Sequence, residues 1–369
     1  MMNLKSLLER MVREEASDLH LKAGSPPVLR IDGRLTALKE EPLSPEELRK
    51  TAQQIMTKDQ QDEFIRTKEL DFAIGVSGLA RFRVNVYMQR GSVAIAMRTI
   101  PPSIKRIDEL NVPQVLKDLS LRRRGLVLCT GTTGSGKSTT LAAMIEHINE
   151  NISQNVITIE DPIEFLFRDK KSIISQREHG MDTHSFSSAL KHVMRQDPDV
   201  ILIGEIRDKD TMDVALKAAD TGHLVLSTLH TLNASETINR IISFYPPHQQ
   251  QHVRVLLSAT LVAVISLRLL ARADGKGRVP AVEIMIVTPT IKEYILDPIK
   301  TLLIPTAIEE GSQYFMQSFD QSIMKLYSDG IISYDDAMSN VTNPDEFNLK
   351  LRGIKGTSEA GWTDFESRG

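Results

Sequence analysis

Residues 131–138 read Gly-Thr-Thr-Gly-Ser-Gly-Lys-Ser, directly after the apolar run Leu126–Thr130 and directly before the helix-forming run Thr139–Ile148. Strand, glycine-rich loop and helix in that order make a phosphate-binding loop. The glycines let backbone N–H groups wrap phosphates, Lys137 reaches the β and γ oxygens, and Ser138 ligates Mg2+. Gly131, Thr132, Thr133, Gly134, Ser135, Gly136, Lys137, Ser138 and Thr139 are therefore the candidate nucleotide-binding residues, with ATP and Mg2+ as the expected ligands.

A phosphate loop implies a nucleotide, but not hydrolysis or work. Short, nearly continuous apolar runs at Leu126–Thr130, Val156–Glu160, Val200–Gly204 and Leu224–Leu229 are separated by helical segments. That alternation predicts an α/β domain whose mainly parallel sheet is covered on both faces, with ligands at the carboxyl ends of its strands. Those ends carry Glu160-Asp161, Gly204-Glu205 and His230. Glu205 is the candidate base that orients the attacking water, because phosphoryl transfer needs a positioned acceptor near the γ-phosphate. A structural acid paired to Arg207 is the alternative reading. Glu160 is expected either to hold Mg2+ through water or to share the base role. With Ser138 and Glu205 it forms the candidate metal set. His230 is placed to sense the γ-phosphate, whereas His223 lies about 23 Å away along an extended strand and reads as structural or as part of another interface.

The chain ahead of this region has a different pattern. Leu4, Leu7, Leu8, Met11 and Val12 fall at helical spacing, and Val28–Ile31 and Leu35–Leu38 flank the hairpin dipeptide Asp32-Gly33. Ser44, Pro45 and Glu47 predict a capped helix to about Met56. Over Arg81–Tyr87, Phe82, Val84 and Val86 alternate with Arg81, Arg83, Asn85 and Tyr87. A turn at Arg90-Gly91 would set Arg83 opposite Arg98, a destabilising like-charge pair. Either the register differs by a residue or two, or the pair is kept for an anion, in which case removing either arginine should relieve the fold. Pro101-Pro102 through Pro113 reads as an interdomain connection.

With 369 residues, two domains are expected. A net charge of −3 excludes the basic footprint of a protein whose main partner is nucleic acid or an anionic membrane. The single cysteine, Cys129, reads as a buried hydrophobe and excludes internal disulfides. Residues 1–15 are too charged for a signal peptide, and the apolar stretch Val255–Leu267 falls short of the roughly 20 residues that span a bilayer. It reads as a buried helix, and everything from Pro247 onward as mostly helical, in a cytoplasmic protein. His248 and His252 have metal-binding spacing but lack the accompanying glutamate, so metal is not expected there. Arg122–Arg124 reads as a solvated face, and Gly356–Gly369 as a disordered tail.

Met194–Asp208, M-R-Q-D-P-D-V-I-L-I-G-E-I-R-D, resembles the signature of the secretion ATPase superfamily that drives type II secretion and type IV pili. Ile157–Phe165 is similar to its Asp box and Thr221–His230 to its His box. Ser17–Leu21 and Arg81–Arg83 resemble parts of its small N-terminal domain. The resemblance covers about residues 1–345 and is strongest to the retraction ATPases of type IV pili, the PilT and PilU group. It implies a PAS-like α+β domain at 1–110, a linker at 111–120, a RecA-like ATPase domain with a helical C-terminal part at 121–345, and a tail at 346–369.

It further implies a homohexameric ring at the cytoplasmic face of the inner membrane, acting on a pilus platform protein and in some cases with a sister ATPase. ATP and Mg2+ would be served by Lys137, Ser138, Glu160, Glu205 and His230, with Arg81, Arg83 and Arg98 as arginine sensors. The chain departs from the family at Thr132, where Pro or Ala is usual. It departs again at Thr290–Asp297, T-I-K-E-Y-I-L-D, where the retraction branch has A-I-R-N-L-I-R-E. The expected function is an ATP-hydrolysing motor of pilus retraction. An accessory nucleotide-binding ring subunit and, less favoured by charge and by few aromatics, a nucleic-acid translocase are the alternatives.

Overall fold

A computed structural model describes residues 3–31, 33–100 and 103–352. Contacts divide the chain into two units: one runs to Ile104 and includes Pro162–Leu166, and the other comprises Lys105–Asp161 and the chain from Phe167 on. Asp32, Pro101-Pro102 and the Gly356–Gly369 tail lie outside the described residues.

The first unit is α+β. Its strands β1 (Asp18–Leu21), β2 (Val28–Ile31), β3 (Arg34–Ala37), β4 (Glu69–Val76), β5 (Ala80–Gln89) and β6 (Ser92–Ile100) form one antiparallel sheet in the order β3-β2-β1-β6-β5-β4. Ile31 pairs with Arg34 across the antiparallel β2–β3 pair. Ser44 and Glu47 close a capping box at the head of helix Pro45–Ile55. Phe82, Val84 and Val86 are fully buried, with Leu7, Leu8 and Met11 of helix Leu4–Arg13 in the same core. At about 1.5–3 kcal/mol for each large apolar side chain, that face accounts for the alternation.

The register of β5 and β6 sets Arg83 opposite Arg98, as the turn predicts. The like charges are not left to each other. Arg98 Nε donates to Asp18 Oδ1 at 2.8 Å from the neighbouring strand, and Arg83 lies 3.9 Å from Asp71. The expected relief on removing either arginine is therefore corrected: each has its own acid.

The second unit carries β7 (Gly125–Thr130), β8 (Asn155–Glu160), β9 (Ile173–Glu178), β10 (Val200–Ile203), β11 (Leu224–Leu229), β12 (Leu261–Ala271) and β13 (Arg278–Ile286), in the order β13-β12-β7-β11-β10-β8-β9. All neighbours are parallel except β12 and β13. The four apolar runs are the central strands, and apolar clusters on the two faces of the sheet bury them.

Three expectations are corrected. Val255–Leu267 is not one helix, because helix Pro247–Thr260 passes directly into β12. No glycine or proline marks the change, so the apolar stretch hides it. The region from Pro247 on consequently contributes a long hairpin to the sheet. Residues 111–120 are not a bare linker: helix Val115–Ser120 buries Leu116 and Leu119 against the core that holds Val127. Helix Pro344–Leu351 likewise runs into the expected tail and buries Phe347.

Candidate active site

The sheet order sets the site. β7 lies beside β11, β11 beside β10, and β10 beside β8, so the carboxyl ends bearing the phosphate loop, His230, Glu205 and Glu160 stand in a row. Helix Lys137–Asn151 follows Gly136, which lies in the left-handed region, and the free N–H groups of its first turn face the loop. Gly131 has φ 138°, and a Cβ there would meet Leu267 O and Ser135 Oγ at 2.5 Å, so the turn admits glycine alone. Lys137 is buried, and its Nζ donates to the carbonyls of Gly131 and Thr132 at 2.8 and 2.9 Å. Ser135 Oγ is buried without a hydrogen bond, a polar group that fits a ligand with acceptor oxygens.

Gly204 brings two strand ends together. Its N–H donates to Ile159 O at 2.8 Å, and a Cβ at this position would stand 3.2 Å from Glu160 Cα. Its carbonyl accepts from Thr228 Oγ1 at 2.8 Å, and Ile206 N–H donates to Thr228 O at 3.1 Å. Glu205 is thus held between β8 and β11. One carboxylate oxygen lies 3.1 Å from His230 Nε2 and the other contacts Arg207 Nε, whose guanidinium also reaches Asp161 at 3.7 Å. A carboxylate can only accept, so a neutral His230 carries its proton on Nε2. Burial first, then the cations of Lys137 and Arg207, hold the His230 imidazole below its ordinary range.

Glu160 is buried differently. Its Oε1 accepts from two neutral donors, Thr158 Oγ1 at 2.6 Å and Gln176 Nε2 at 3.1 Å, whereas Glu205 meets a histidine and a guanidinium. Ser138 follows Lys137 on the helix, where a hydroxyl could hold Mg2+. Among the described residues no group of three or more His, Cys, Asp or Glu could hold a metal by itself. Mg2+ commonly takes a few protein oxygens and fills its shell with phosphates and water, so this donor set fits it.

His223 precedes β11 and His230 follows it, so they sit at opposite ends of the strand, and His223 Nδ1 lies 2.9 Å from Ala218 O. Cys129 is fully buried, its thiol pushed up to about 12 by burial. Arg81, Arg83 and Arg98 belong to the first unit and the phosphate loop to the second. Asp161 had no role assigned from sequence, although the adjacent acid in Glu160-Asp161 was a visible signal, while Arg207 was expected only as the partner of a structural Glu205, and the structure does pair the two.

The family model for type II/IV secretion system proteins matches residues 2–318. The chain belongs to this family. It is 42% identical over 346 residues to the type IV pilus retractation ATPase PilT of Pseudomonas aeruginosa, a match covering 94% of this chain and 100% of that one. To the type IV pilus ATPase PilU of the same organism it is 41% identical over 355 residues, covering 95% and 92%. The crystal structure of the pilus retraction motor PilT with bound ADP aligns with a TM-score of 0.87 and 44% identity, covering 94% of this chain and 99% of that one. This secretion-family chain is accordingly a nucleotide-binding ATPase with the PilT-like fold. Among its described residues no helix is long and apolar enough to cross a membrane.

Proposed function

We propose that the chain is an ATP-hydrolysing motor of type IV pilus retraction, working as a homohexameric ring against an inner-membrane platform protein. The observation that carries the hydrolytic part is Glu205 held between His230 and Arg207 at the strand ends beside the phosphate loop. End-to-end similarity to PilT and PilU supports the retraction part.

In this reading Lys137 leaves the loop carbonyls for the β and γ oxygens, and the N–H groups of 131–139 hold the phosphates. Ser138 would hold Mg2+, with Glu160 and Glu205 nearby, and the ion would supply charge neutralisation on the phosphate oxygens. Glu205 accepts the proton of the attacking water. His230 reads the γ-phosphate and keeps the Glu205 carboxylate oriented. Arg81, Arg83 and Arg98 act as sensors within an assembled ring, where Arg83 and Arg98 exchange Asp71 and Asp18 for phosphate oxygens.

An accessory subunit serving a sister ATPase is the second reading. It is favoured by Leu296, an exposed apolar residue where the retraction motif has its second arginine. Deleting the gene and complementing with wild type or Glu205→Gln tests both. A retraction motor predicts surface pili in excess with loss of twitching in the deletion and in the Gln strain. Full rescue by Glu205→Gln would instead favour the accessory subunit, and wild-type pili and twitching after deletion would overturn retraction.

A further inference from the structure

Across four strands the register sets Glu283 opposite Ser266, Ser266 opposite Thr130, and Thr130 opposite Leu229. Thr130 is the residue before Gly131, and Leu229 is the residue before His230. The row therefore runs beneath the phosphate loop and the His230 segment together. Thr130, Ser266 and Ala234 are fully buried, and Glu283 is 8% exposed. Thr130 Oγ1 donates to Ser266 Oγ at 3.0 Å, and Ser266 Oγ donates to Glu283 Oε1 at 3.3 Å. The same carboxylate oxygen accepts from the backbone N–H of Ala234 at 2.8 Å. Ala234 opens helix Ala234–Ser243, four positions after His230.

A buried acid needs a reason, since desolvation disfavours its charge. Asn233 caps this helix through the N–H of Glu236 at 2.8 Å, and Glu283 takes a second free donor of the same end, the N–H of Ala234. What Glu283 does that no cap does is collect two donors from separate elements, one of which leads through Ser266 to the phosphate loop. Arg268 on β12 eases the burial of its charge, and Asp320 opposes it.

We propose that Glu283, acting through Ser266, is a positioning residue that ties the entry of the phosphate loop to the His230 segment, keeping His230 in place beside Glu205 during turnover. The inference rests on the reading of His230 given above. kcat and KM for ATP, with melting temperatures, are to be measured on the full chain for wild type, Ser266→Ala, His230→Ala and the double variant, with Glu283→Ala and Glu283→Gln alongside.

Ser266→Ala should lower kcat about 10-fold and leave KM within about 2-fold, and on the His230→Ala background it should cost less than about 2-fold more. Glu283→Gln should restore most of what Glu283→Ala loses, because the amide oxygen still accepts both donors. Should Glu283→Ala fail to fold, Ser266→Ala removes only one hydroxyl and decides the matter. Losses that multiply in the double variant, or a wild-type kcat for Ser266→Ala with only a lowered melting temperature, would overturn the inference alone. A wild-type kcat for His230→Ala would overturn the reading of His230 as well.

Discussion

Glu205 and Glu160 are both acids at strand ends, and their surroundings separate them. The Glu160 carboxylate is engaged by Thr158 and Gln176, while Glu205 is held by His230 and Arg207 on a side chain still 20% exposed. Glu205→Gln should therefore cost about 10²–10⁴-fold in turnover with ATP binding retained, and Lys137→Ala should weaken binding itself. Turnover within a few-fold of wild type in the Gln variant, measured by phosphate release, would transfer the base role to Glu160. His230 provides a second check. Its midpoint should lie below the ordinary 6.5, and Lys137→Ala should move it upward by removing one of the cations that depress it. Because the folded-state pKa is depressed, the unfolded chain binds more protons just below 6.5. The contribution of His230 to stability is thus present above that pH and lost as the pH falls toward the folded value. NMR titration of the imidazole reads the midpoint directly, and a value unmoved by Lys137→Ala would contradict the coupling.

At the scale of elements, strand pairing decides what a charged side chain does. Asp18 on β1 faces Arg98 on β6 and Arg30 on β2, with its side chain only 12% exposed. Arg98→Ala leaves that acid with Arg30 at 3.8 Å and should destabilise the chain by up to about 1 kcal/mol. Arg83 and Asp71 are both well exposed, so Arg83→Ala should be neutral within about 0.5 kcal/mol. Thermal melts of the two variants side by side test this, and a gain in stability for Arg98→Ala would restore the like-charge account. The same scale explains the misread β12. Apolar character alone does not distinguish a buried strand from a buried helix, and Pro247–Thr260 meets Leu261–Ala271 with no turn residue between them.

For the whole molecule, the proposed sensors and the phosphate loop belong to different units of the chain. If the arginines act in an assembled ring, hydrolysis per subunit should rise with protein concentration as rings form. Activity measured across the monomer-to-ring transition, followed by light scattering, tests this. A rate per subunit that stayed flat would remove Arg81, Arg83 and Arg98 from catalysis. The buried row from Glu283 to Thr130 lies entirely within one unit, so its effect should persist at every concentration at which turnover is measurable.

The phosphate loop, the four apolar strands and the capped helix at Ser44 were legible because each depends on residues a few positions apart. Turn geometry, side-chain alternation and capping are local physics. Pairing over distance is not. Asp18 meets Arg98 across 80 positions, His230 meets Glu205 across 25, and Ala234 meets Glu283 across 49. Sequence placed Glu160, Glu205 and His230 at strand ends, but only the order β7-β11-β10-β8 made those ends neighbours. Strand order follows from how helices and hairpins cover the sheet as a whole, a balance of burial and hydrogen bonding that no short window of sequence contains.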